Sequence, residues 1–357
     1  MTAAIAALSA LLCLPALAGP AEKKREEEKV VEFHLARVVS RSDDAGAWRM
    51  LATSQVKLAE ATGEPREYDR AWEALERAEA LEAGSMDTLR GRARLLLSRH
   101  RFPQALALAE SGLVSSPEDT GLLEIAVDAA LEMGDLDASG VHAQKLHAIS
   151  QQLGSWARLG FVAEARGKLP EALKHLEQAL ETGARKGAPP DSIAWCRAIL
   201  GELHLKLGNR QDARSQYEFG FEKVADHPLV LEHSAELETL EGKIEAAERA
   251  YRKLLDQRPE PVLRLRLAEI VAQRGDQDGA AALRKESLAF LERVVGGGNE
   301  GYLRPLAELY LEAGRYPQAA SLAARDLALR PNAYSRALLA KILAAAASAG
   351  KPVNSLH

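Results

Sequence analysis

Gly167-Lys168-Leu169-Pro170-Glu171-Ala172 and Gly314-Arg315-Tyr316-Pro317-Gln318-Ala319 are two copies of one phrase. A glycine and a polar residue are followed by a large apolar residue, a proline, and an alanine three positions after the apolar one. Before the first copy, Trp156, Leu159, Gly160 and Ala163 fall on one face of a helix. After it, Leu169, Ala172, Leu176 and Ala179 make the face of a second helix. Gly167 takes the turn between them, where a side chain would be strained. Gly160 and Ala172 are small where two backbones cross closely. Pro170 sits in the first turn of the second helix, where its missing N–H costs nothing; Pro103 and Pro317 hold the same place in their units.

The phrase returns about eight times at a spacing of about 34 residues. Leu89, Ala93, Leu96, Phe102, Ala105, Ala109, Gly112 and Pro117 form one copy, and Leu231, Ala235, Gly242, Ile244, Ala247, Tyr251, Leu254 and Pro259 another. Leu303, Leu306, Ala307, Tyr310, Gly314, Tyr316, Ala319, Ala323 and Pro331 form a third. Weaker copies centre on Gly134-Asp135-Leu136, where Ser139 replaces the usual alanine, on Leu200-Gly201 with Gly208 and Ala213, and on Gly275-Asp276. A unit opening at Trp48 and Leu51 carries extra residues, Ala59 to Glu67, before Tyr68, so its turn is expected to be long.

In this register the chain resembles the tetratricopeptide repeat family, over roughly Ala45 to Asn332. The resemblance implies an all-α, right-handed superhelical solenoid of antiparallel helix pairs. The expected division is residues 1–18 as a signal peptide, 19–44 as a charged N-terminal capping helix and 45–333 as the array of about eight hairpins. A C-terminal capping helix over 334–349 and a tail over 350–357 complete it. Caps are needed because an end repeat has an unpaired apolar face. Gly183 to Pro190 and Gly296-Gly297-Gly298 read as extended turns between hairpins, since the register resumes after each.

Composition narrows the function. The 357 residues carry a formal charge of −5 with 27% charged residues of both signs, so no single-sign field invites nucleic acid. Cys13 and Cys196 are the only cysteines, which excludes a disulfide framework. Cys196, beside Trp195, reads as a small core residue. Ala3 to Leu14 is an uncharged run followed by Pro15 and Ala16-Leu17-Ala18, a small-x-small pattern suited to signal peptidase. Export to a periplasmic or extracellular location is therefore expected, with a cytoplasmic location as the alternative. No segment reaches the roughly 20 apolar residues of a transmembrane helix.

The resemblance also implies where a ligand sits. In that family the first helix of each hairpin lines a concave groove, and the residue two after the leucine of the Leu-Gly pair projects into it. Those positions are Thr53, Arg94, Asp128, Phe161, Glu202, Glu236, Glu269 and Glu308 here, with Glu124 and Glu232 one turn earlier and Arg90 beside Arg94. The groove is thus expected to be basic towards its N-terminal end and acidic through its C-terminal half. The acidic half suits a basic or amide-rich extended segment, and Arg90 and Arg94 an acidic one. No asparagine occupies these positions, unlike the family's clamp for acidic chaperone termini.

Chemistry finds little purchase. Neither His142 with His147 nor His227 with His233 has the i, i+4 spacing that aims two imidazoles at one metal. Gly-x-Ser-x-Gly and the phosphate-binding Gly-rich Lys-Ser/Thr loop do not occur. No catalytic residue, metal or cofactor is expected. The expected function is a non-enzymatic protein-interaction scaffold or adaptor of the bacterial cell envelope, holding a peptide or partner helix. The alternatives are a cytosolic self-associating scaffold and a regulatory domain of an enzyme.

Overall fold

A computed structural model describes residues 20–62 and 64–350. The expected signal peptide with Cys13, and all but the first residue of the expected tail, lie outside the described residues. The described residues are helical throughout, with no strands among them. They fall into two compact units, one made of residues 21–135 and 288–350 and the other of residues 136–287.

The first unit opens with α1 (Pro20–Ser40) and continues through α2 (Ala45–Thr62), α3 (Pro65–Leu81), α4 (Met86–Ser98), α5 (Phe102–Ser115) and α6 (Thr120–Met133). The second holds α7 (Leu136–Ile149), α8 (Leu153–Ala165), α9 (Leu169–Arg185), α10 (Pro190–Lys206), α11 (Arg210–Lys223), α12 (Pro228–Leu240), α13 (Ile244–Gln257) and α14 (Pro261–Gln273). Helix α15 (Gln277–Gly296) leads back into the first unit, which ends with α16 (Leu303–Glu312), α17 (Tyr316–Leu329) and α18 (Ala333–Ser348). Within the units α2 pairs with α3, α4 with α5, α8 with α9, α10 with α11, α12 with α13 and α16 with α17, as the repeat demands.

The turns show why the phrase recurs. Gly134, Gly167, Gly208, Gly242, Gly275 and Gly314 all adopt positive φ, between 66° and 93°. The residue after each donates its N–H five residues back, as in Lys168 N to Ala163 O (2.9 Å), so the last carbonyls of the first helix are satisfied. One hairpin departs from this. His100, with φ 59°, fills the glycine place between α4 and α5 and keeps the same bond, Arg101 N to Leu96 O.

Small residues set the crossings. A Cβ on Gly201 would lie 2.1 Å from Cε1 of the buried Tyr217, so the two helices of that hairpin meet with no room for a methyl group. Ser139, the substitute for alanine, is fully buried and returns its hydroxyl to Leu136 O. Cys196 is also fully buried; burial pushes its thiol up to about 12, and its role is packing.

The first turn differs from expectation. The extra residues from Ala59 do not loop out: α2 runs on through Thr62 and α3 starts at Pro65. Leu58 and Ala59 are buried and extend the apolar stripe of α2, so lengthening the helix serves better than lengthening the turn. Likewise Gly183 lies within α9, packed against Leu153 and Ile193, and only residues 186–189 form the connection to α10.

In the first unit, residues far apart in sequence also meet. Arg293 pairs with Glu64 (3.1 Å), Arg101 with Glu300 (2.9 Å) and Arg330 with His100 (2.9 Å), and Asn332 Nδ2 donates to the carbonyl of Glu132 (2.9 Å). A solenoid whose repeats touch only neighbours has no such joint.

Candidate functional site

In the second unit the first helices of successive hairpins carry a connected row of charge. Glu164 on α8, Glu202 and Lys206 on α10, His233 and Glu236 on α12, and Arg266 and Glu269 on α14 alternate in sign. Lys206 Nζ donates to Glu164 (2.5 Å) and lies 2.6 Å from Glu202. His233 Nδ1 donates to Glu236 (3.0 Å) while its Nε2 lies 3.9 Å from Glu202, and Arg266 pairs with Glu269 (3.1 Å). The spacing follows from helix geometry. Lys206 stands four residues after Glu202, and His233 and Arg266 stand three before Glu236 and Glu269, so each cation shares a face with its carboxylate.

Burial and charge compete along the row. Burial raises the Glu164 carboxyl above its usual range, against the pull of Lys206. The ammonium of Lys206 is disfavoured by burial, but Glu202 and Glu164 outweigh this and raise it. His233 is the sharpest case. Burial alone would make the imidazole harder to protonate, yet the Glu236 hydrogen bond and the Glu202 charge carry it up to about 9. At neutral pH it is an imidazolium, stacked on the Tyr217 ring at 6.4 Å.

The groove positions named from the sequence divide in two. Phe161 and Glu202 are buried: Phe161 stands edge-on to Trp195 at 5.9 Å as core between hairpins, and Glu202 serves Lys206 and His233. Asp128 on α6 is buried as well. The others reach solvent but have partners. Arg90 pairs with Asp87 and with Asp119 (3.6 Å), Arg94 with Glu124 (3.6 Å), and Glu232 with Arg258 (4.0 Å). Tyr334 donates its hydroxyl to Glu308. Glu202, Glu236 and Glu269 are therefore compensated from their own helix or the next hairpin, Glu124 from the preceding hairpin and Glu232 by Arg258. What remains open to a ligand is the end of the row on α12 and α14, where Glu269 is half exposed and Glu236 about one third. The compensating cations fall outside the one position per repeat that marks the groove; their signal in the sequence is the i, i+3 and i, i+4 spacing from each carboxylate.

A second buried polar cluster lies in the first unit. Asp326, wholly buried, accepts from Arg304 (3.2 Å), from the Ser335 hydroxyl (2.7 Å) and from Arg330. Among the described residues no group of three or more His, Cys, Asp or Glu is arranged to hold a metal, and no helix is long and apolar enough to cross a membrane.

A tetratricopeptide repeat family profile matches residues 151–218. Among curated proteins no relative matches. Among solved structures the chain is similar to a monomeric mutant of IFIT1 with m7Gppp-AAAA, at a TM-score of 0.53 and 16% identity over 87% of this chain and 77% of that one. It is also similar to TTC0263, a thermophilic TPR protein of Thermus thermophilus, at 0.47 and 23% identity over 53% of this chain and 100% of that one. The hetero-tetramer Cut9-Hcn1 of the APC/C gives 0.35 and 17% identity over 83% of this chain; this chain covers 63% of the length of that one. At these identities the likeness is one of fold.

Proposed function

We propose that this chain, a helical-repeat protein of the tetratricopeptide type, is a non-enzymatic scaffold that takes an extended segment of another protein across the first helices of residues 136–287. Proteins of this repeat type bind protein partners, and the connected charge row from Glu164 to Glu269 supports the reading. A partner segment gains most at the end of the row, where Glu236 and Glu269 are open and Arg266 stands between them. A basic or amide-rich segment suits the two carboxylates. On α4, Arg90 and Arg94 offer the opposite sign to an acidic stretch.

A peptide array with matched Lys/Arg and Asp/Glu segments tests this. The expected result is preferential binding of the basic set, reduced about tenfold or more by the double charge reversal Glu236→Lys and Glu269→Lys. Equal binding of both sets would sink the reading. The proposed setting is the cell envelope, on the strength of the apolar run Ala3 to Leu14 and Ala16-Leu17-Ala18. N-terminal sequencing of the protein from its native host should then find a start near Gly19; an intact Met1 removes the export reading and leaves the cytosolic scaffold.

A further inference from the structure

Helix α1 carries two stripes at helical spacing, and the first unit uses one of them. Glu27, Val31, His34 and Val38 recur at intervals of four, three and four; His34 and Val38 are buried, and Val31 packs with Val38 against the core of the first hairpin. Glu26, Val30, Phe33 and Arg37 stand one residue earlier at the same intervals, about 100° round the helix, and all four are exposed. Phe33 is 65% exposed and Val30 41%. The Phe33 ring stands edge-on to His34 at 5.2 Å, which holds it on that flank.

We propose that this second stripe is the seam of an antiparallel dimer, in which α1 of one copy of the chain lies against α1 of another. A single exposed apolar side chain needs no explanation. A stripe that repeats at four and three does, because that is the spacing at which two helices meet through two residues in every seven.

The order of the residues selects the occupant. With a two-fold axis passing between Val31 and Glu32, Val30 faces Phe33 of the second copy and Glu26 faces Arg37 of the second copy, and symmetry makes each contact twice. Apolar layers then fill the centre of the seam, with an ion pair at either end. Arg37 already pairs with Asp44 at 3.3 Å, and its guanidinium has further N–H groups for a second carboxylate. A parallel pair would set Glu26 on Glu26 and Arg37 on Arg37. Those like charges disfavour it.

The composition of α1 argues against a lipid surface as the occupant. Between residues 24 and 40, Glu26, Glu27, Glu28 and Glu32 balance Lys24, Arg25, Lys29 and Arg37, so the helix offers anionic lipid no net attraction. Leu35 and Val39 are exposed as well, but they lie on the opposite flank of α1, outside the seam. The contact is short, roughly the 30 Å length of one helix, and the dimer is therefore of the weak, micromolar class.

Sedimentation equilibrium of the full chain over a concentration series tests this, with circular dichroism to show that each surface variant keeps its helices. A reversible monomer-dimer equilibrium is expected. Glu26→Arg and Arg37→Glu each turn both ion pairs into like-charge contacts and should each weaken dimerisation about tenfold or more. Combined in one chain they restore opposite charges across the seam, and the affinity should return most of the way. Phe33→Ala should weaken the dimer by about tenfold, whereas Val39→Ala should leave it unchanged. A chain that stays monomeric throughout the series overturns the inference. So does a double charge variant no tighter than either single one, or a Val39→Ala effect equal to that of Phe33→Ala. Co-sedimentation with phosphatidylserine vesicles that Phe33→Ala abolishes would overturn it in favour of a membrane.

Discussion

Asp326→Ala should speed amide exchange in α17 and the first turn of α18 by roughly two to nearly four orders of magnitude, a local loss of about 3–5 kcal/mol. The carboxylate is wholly buried and is the common acceptor for Arg304, Arg330 and Ser335. Its removal strands Arg304 and leaves the almost fully enclosed Arg330 with only the more distant Glu132, at 3.5 Å. The penalty comes from that stranded charge. The triple variant Asp326→Leu with Arg304→Met and Arg330→Met, which removes the carboxylate and both guanidiniums, should recover most of the protection, since apolar side chains of similar volume replace buried charges at little net cost. A less than tenfold acceleration in Asp326→Ala would show that the cluster is far better solvated than its burial implies.

Lys206→Met should destabilise residues 136–287 by about 3 kcal/mol at pH 8 and by much less at pH 5. Lys206 is the cation shared by Glu164 and Glu202, both of which have largely buried side chains. Without it, burial acts on the Glu164 carboxyl with its nearest cation gone and lifts it further. A carboxyl raised in the folded state gives stability that is present below its unfolded value and lost as pH rises through the folded value. The variant is therefore expected to approach the unaltered chain in acid and fall behind it through neutrality. Denaturant unfolding of both chains at the two pH values measures the gap, and a gap that does not widen between pH 5 and 8 contradicts the assigned role of Lys206.

The hairpins were legible in the sequence because the residues that set them recur for steric reasons. A left-handed turn at Gly167 and a crossing at Gly201 that leaves no room for a Cβ tolerate few alternatives, so the same letters return each time. The length of α2 departs from the sequence expectation because the added residues continue its apolar stripe instead of forming a loop. The charge row was half visible. Its carboxylates sit at repeat positions, but their cations lie three or four residues away on the same helix, outside a one-position reading. The joint around Arg330 left a single trace, a histidine where the turn wants glycine. Its other members occupy turns that follow no period, and no spacing joins residues some 200 apart.

That separation bears on how the protein is made. Stacked repeats ordinarily fold from local contacts, each hairpin adding to the last, and can do so while the chain is still leaving the ribosome. Here the bond from Asn332 to Glu132 closes a loop whose entropic cost is roughly 5 kcal/mol. Until residues 330–332 have been made, His100 has no arginine to face and the carbonyl of Glu132 no amide. Hairpins made early are thus completed by residues that emerge some 200 positions later, and a chain cut short between them would carry an unfilled edge that the longer chain conceals.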